Sequence, residues 1–149
     1  MTMEDNLIIL EESLGYHFQN ERLLILAITH TTFAYEAQQE SLSDNQRLEF
    51  LGDSILGMAV AEYLYEKYPD FSEGELTRRR ALLVNKNYLA QKAKEINLGQ
   101  YLFLGKGEEK IGGRSNFTNL SGVLEAIIGA IYLDGGFQEA KNFIIRKIV

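Results

Sequence analysis

The chain has 149 residues, one proline, no cysteine and a formal net charge of −6. That length bounds it to one domain, residues 1–149, with room for a real core. The lack of cysteine excludes a disulfide framework and thiolate metal ligation. The longest apolar runs are broken by charge, and the N-terminus lacks the parts of a signal peptide, so no membrane partner and a cytoplasmic location are expected.

Leu7, Ile8, Leu10 and Leu14 recur at helical spacing and predict a first helix. Leu23, Leu24, Leu26, Ala27 and Ile28 predict a second. A third is expected over residues 45–67, ended by Tyr68-Pro69, because the residue before a proline avoids the helical region. Ser72-Glu73-Gly74-Glu75 has the form of a capping box and opens a helix through Val84. Another helix is expected over residues 87–96, and loop over 99–113. Thr118 or Asn119 is expected to cap a helix ending at Leu133, with a turn at Asp134-Gly135-Gly136. Residues 137–148 read as a last amphipathic helix. No strand-like alternation occurs, so the fold class is all-α.

Two of these helices carry charge where they should be apolar. Leu48-Glu49-Phe50-Leu51-Gly52-Asp53-Ser54-Ile55-Leu56 holds two carboxylates, and Val123-Leu124-Glu125-Ala126-Ile127-Ile128 holds one. Such charges are costly unless compensated. Gln46, Glu49 and Asp53 lie at i, i+3 and i+7, within an arc of roughly 60° on one helical face. Leu48, Leu51, Ile55 and Ala59 face elsewhere, towards a core. Gly52, Gly57 and Gly129 each weaken a helix interior, which suggests close helix packing. If the two helices cross, Glu125 meets Glu49 and Asp53. A lone carboxylate would be read as a salt bridge, to Arg47 or Arg79 for example. Three on glycine-bearing apolar helices favour a divalent metal.

Charge is unevenly spread. Residues 76–114 hold nine Lys/Arg against three Glu, so a basic face is available despite the acidic total. From charge alone, a solvated helix surface is the simpler reading.

Gln46-Arg47-Leu48-Glu49-Phe50-Leu51-Gly52-Asp53-Ser54 resembles the signature of the ribonuclease III family, E-R-L-E-F-L-G-D-S. Glu73-Gly74-Glu75-Leu76-Thr77 with Arg80-Ala81, Leu104-Gly105-Lys106-Gly107-Glu108, Gly112-Gly113-Arg114, and the run from Glu125-Ala126 to Gly135-Gly136 match further family segments. The resemblance implies an all-helical endonuclease domain, a symmetric homodimer, and Mg²⁺-dependent cleavage of double-stranded RNA to 5′-phosphate and 3′-hydroxyl ends, with Mn²⁺ as an alternative ion. It assigns Glu49, Asp53 and Glu125 as metal ligands, with Asp53 and Glu125 catalytic. Gln46, Glu73 and Gly122 fall at the periphery of the site, and Phe50 inserts into the partner subunit. A core Phe is the plainer alternative for Phe50, and a helix-start charge for Glu73. Arg78, Arg79, Lys106, Lys110 and Arg114 are candidate RNA phosphate contacts.

Two departures stand out. Gln46 replaces a glutamate, and Gly122 replaces the aspartate expected three residues before Glu125. Glycine brings no ligand oxygen, so water would fill that place. No double-stranded-RNA-binding domain is expected within these residues, and RNA affinity is expected to be low and salt-dependent. Three functions stay open: an endoribonuclease, an impaired RNA-binding dimer, and a purely structural helical partner. The retained carboxylates favour the first over the second, and the basic segment disfavours the third.

Overall fold

One helix, apolar on almost every side, organises the core. In a computed structural model that describes residues 1–37 and 43–149, this helix, α8, spans Phe117–Gly135. It buries Leu120, Val123, Leu124, Ala126, Ile127, Ile128, Ala130 and Ile131. A helix so uniformly apolar must be enclosed by others, and the elements around it do that. In chain order these are α1 (Met3–Leu14), α2 (Glu21–Ala27), α3 (Thr31–Ala37), α4 (Gln46–Lys67), α5 (Glu73–Val84), α6 (Lys86–Glu95) and α7 (Lys106–Lys110), with α9 (Phe137–Lys147) after α8. Helices α2, α4, α6 and α9 all pack on α8. Two short 3₁₀ turns, Leu98–Tyr101 and Gly113–Ser115, flank α7. Among the described residues there is no sheet, only one parallel bridge between Thr29 and Phe103. No described helix is long and apolar enough to cross a membrane.

Several boundaries follow the local chemistry read from the sequence. The Ser72 hydroxyl accepts from the Glu75 amide at 3.2 Å while the Glu75 carboxylate accepts from the Ser72 amide at 3.1 Å, completing the capping box of α5. Helix α4 stops at Lys67, just before Tyr68-Pro69. Other expectations need correction. Asn116, not Thr118 or Asn119, caps α8: its side-chain oxygen accepts from the Asn119 amide at 3.0 Å. Helix α8 also continues through Asp134 and Gly135, and the chain turns only at Gly136, with φ of +90°. Asp134 gains a role there. Its carboxylate accepts from the Tyr16 hydroxyl at 2.6 Å and from the Gln19 and Asn20 amides at 3.0 and 2.8 Å. Helix α7 lies inside the expected loop, and α3 was not anticipated.

Helices α4 and α8 cross at close range in the centre of the molecule. A methyl group added at Gly52 would lie 1.7 Å from the Glu125 carbonyl oxygen, and one at Gly129 would lie 2.5 Å from that of Leu48. The two backbones therefore touch with no side chain between them. Gly57 does not take part: a methyl group there would meet nothing within 4 Å.

Candidate active site

The glycine crossing sets where the carboxylates stand. Gly52 lies between Glu49 and Asp53 on α4, and on α8 Glu125 is one turn from Gly129, so the same contact that joins the helices brings the three acids together. Glu49, Asp53 and Glu125 line one open cavity with Gln46 and Phe50. Asp53 is exposed, while Glu49 and Glu125 are half-buried. Burial, hydrogen bonding with the Asp53 side chain, and the charges of Asp53 and Glu49 push Glu125 up to about 8. Burial and the Asp53 charge also raise Glu49, with His30 and Lys86 pulling it back down.

Among the described residues, none of the three carboxylates forms an ion pair, so the salt-bridge reading with Arg47 or Arg79 has no support. Nor are any three His, Asp or Glu side chains of the described residues drawn tightly enough to ligate a metal as they stand. The carboxylates share a cavity without closing on one point. The donor set suits a hard divalent cation: oxygen ligands only, on a rigid crossing, with room for water.

Gly122 faces this cluster. A methyl group there would lie 2.8 Å from Oε2 of Glu49, so the Glu49 carboxylate occupies the space a side chain at 122 would enter. Gly122 and Glu49 also line an adjoining polar pocket with His30, Asn45, Thr118 and Asn119. There the Thr32 amide donates to His30 Nδ1 at 3.2 Å, which leaves Nε2 to carry the proton and donate to Asn119 Oδ1 at 3.0 Å. Asn119 Nδ2 in turn donates to Glu108 at 2.9 Å and to the Gly113 carbonyl at 3.0 Å. Asn45, just before α4, donates to the Ala27 carbonyl at 2.9 Å. These bonds hold the starts of α4 and α8 to the segment before α3.

The remaining candidates separate. Phe50 is 79% exposed, which rules out a core role within its own chain. Glu73 is not in the carboxylate cavity; it lines a groove between α4 and α5 with Tyr65, Leu76 and Arg80, and accepts from the Thr77 hydroxyl at 3.2 Å. Arg78, Lys106 and Lys110 are exposed. Arg79 donates to the Tyr68 hydroxyl at 3.2 Å. Arg114 is turned into its own loop: it donates to the Glu109 carboxylate at 2.8 Å and to the carbonyls of Gly99 and Leu102 at 3.0 and 2.8 Å. That is a fold-holding arrangement, not a free phosphate contact. Sequence reasoning did not single out His30 or Lys86, whose bonds to Asn119 and Thr118 reach far along the chain, and it read Thr118 only as a candidate helix cap.

Residues 20–149 match a family described as ribonuclease-III-like. The chain is 47% identical over 137 residues to a ribonuclease 3 of Symbiobacterium thermophilum, covering 92% of this chain and 57% of the relative. It is 46% identical over 145 residues to a ribonuclease 3 of Pelotomaculum thermopropionicum, covering 97% and 60%. It thus spans about three-fifths of the length of these relatives. Among solved structures, the nuclease domain of ribonuclease III from Campylobacter jejuni superposes with a TM-score of 0.87 at 44% identity, covering 94% of both chains; that work describes a flexible region involved in dimer formation. A Dicer from Pichia stipitis superposes with a TM-score of 0.63 at 26% identity, covering 89% of this chain and 54% of the Dicer chain.

Proposed function

Since the chain belongs to the ribonuclease III family, we propose that it is a nuclease domain that cleaves double-stranded RNA as a homodimer, with Mg²⁺ or Mn²⁺ held by Glu49, Asp53 and Glu125. The observation that carries this reading is the meeting of three unpaired carboxylates at a backbone-to-backbone helix crossing. A bound divalent ion would supply a water of lowered pKa and positive charge near the phosphate. The chain's own residues prepare for it. Glu125, raised to about 8, holds a proton near neutrality in hydrogen-bond range of Asp53 and gives it up when a cation arrives. Glu49 and Asp53 are presented from one face of α4. In the reaction, water adds at phosphorus and the bond to the 3′ oxygen breaks. That oxygen gains a proton, leaving a 3′-hydroxyl and a 5′-phosphate. Duplex RNA is read by shape, phosphates and 2′-hydroxyls.

The homodimer is supported by the 79% exposure of Phe50 beside the cavity and by Met58 and Tyr65 exposed on the same helix. Two-fold symmetry gives one cavity per strand of the duplex. Gly122 favours a second reading, an RNA-binding dimer with impaired cleavage, because it removes one ligand oxygen. The deciding experiment incubates long duplex RNA with the protein in Mg²⁺ and in EDTA. Cleavage confined to Mg²⁺, with 5′-phosphate ends, supports the enzyme. Binding without cleavage at any Mg²⁺ concentration supports the impaired dimer.

A further inference from the structure

We propose that Lys86 receives an RNA phosphate at the rim of the carboxylate cavity, an assignment that rests on the duplex-RNA reading above. Three observations lead there. The Lys86 ammonium donates to the Thr118 hydroxyl at 3.2 Å, joining the start of α6 to the start of α8. Thr118, Gly122 and Glu125 stand at i, i+4 and i+7, so they share one face of α8. Lys86 is thus anchored on the face that carries Glu125, two turns towards the N-terminus. Thr118 also lines the adjoining pocket with Gly122 and Glu49, so the ammonium is bonded to a wall of that pocket, and Glu49 is shared between it and the carboxylate cavity.

The electrostatics of that position call for an anion. Lys86 is the first residue of α6, and Thr118 is the second of α8. Both helices present the positive ends of their dipoles there, and a cation at a helix N-terminus is on its unfavourable side. Lys86 forms no ion pair among the described residues to relieve this. An ammonium flanked by two helix starts and open to solvent suits a phosphate, and RNA carries one at every nucleotide. A phosphate held there would also be kept beside three carboxylates that otherwise repel it.

The test measures binding of duplex RNA to the whole chain in EDTA, across a salt titration. Lys86→Ala is expected to weaken binding and to lower the slope of log K against log salt by about 0.9, the loss of one phosphate contact. Lys86→Arg should keep the parent slope. Arg22→Ala, which removes an exposed charge on α2, should leave it unchanged. The proposal fails if Lys86→Ala binds with the parent's slope, or if Arg22→Ala lowers the slope equally. If the parent chain binds no duplex RNA at all, the duplex-RNA reading itself fails, and the role of Lys86 with it.

Discussion

At position 122 a side chain would begin 2.8 Å from the Glu49 carboxylate, which is the far end of a flexible side chain and can rotate away. Gly122→Asp is therefore accommodated, and it brings a fourth carboxylate to the proposed metal site. We expect Mn²⁺ or Mg²⁺ to bind about tenfold more tightly, since ligand charge sets affinity for hard cations, and duplex cleavage to rise. Without metal, the added charge should lower the melting temperature. Equal metal titrations for parent and variant would remove position 122 from the site. Glu125 gives a second prediction. Its carboxyl is raised from 4.5 to about 8 in the folded chain, so between those values the folded state binds more protons than the unfolded one. Stability therefore falls as pH rises through that window. Melts in EDTA from pH 5 to 9 should show this slope, and Glu125→Gln should flatten it. The shared face of Gln46, Glu49 and Asp53 was legible because helical periodicity is local. The bonds from Lys86 to Thr118 and from His30 to Asn119 were not, because they join residues 32 and 89 apart in sequence.

Between helices, the glycines make opposite predictions. Gly52→Ala sets a methyl group 1.7 Å from the Glu125 carbonyl, and backbone cannot swing aside. Overpacking of this kind costs about 1–3 kcal/mol, more than the ~1 kcal/mol gained in helix propensity. Gly57→Ala meets nothing, so the single chain should gain about 0.5–1 kcal/mol. Urea midpoints of the two variants, moving in opposite directions, check the pair. The sequence showed three helix-weakening glycines but not which of them face a neighbour, since that depends on where α8 lies. Helices α3 and α7 escaped notice for a related reason. They have seven and five residues and bury none fully, so neither carries a periodic apolar stripe. Asp134 looked like a turn residue because its three partners, 114 to 118 positions away, are invisible locally.

For the whole molecule, α4 has two faces with different fates. One buries Leu48, Ile55, Leu56, Ala59, Val60 and Leu64, and the other leaves Phe50, Met58 and Tyr65 in water. Large aromatics supply much of the energy of an interface when they are enclosed. Phe50→Asp should convert a dimer to single chains in sedimentation at micromolar concentration, without lowering helix content by circular dichroism. A parent chain that sediments as a monomer under those conditions would overturn the dimer.

The crossing of α4 and α8 also bears on how this site changes over generations. Its spacing is set by glycine backbones, so ligands can be exchanged while the scaffold stays as it is. A glycine codon ending in a pyrimidine is a single transition from an aspartate codon. A lineage whose Gly122 codon is of that kind is one step from four carboxylates for as long as Gly52 and Gly129 persist. Loss of either crossing glycine would close that route, because a restored ligand would then point into a cavity that no longer has the right width.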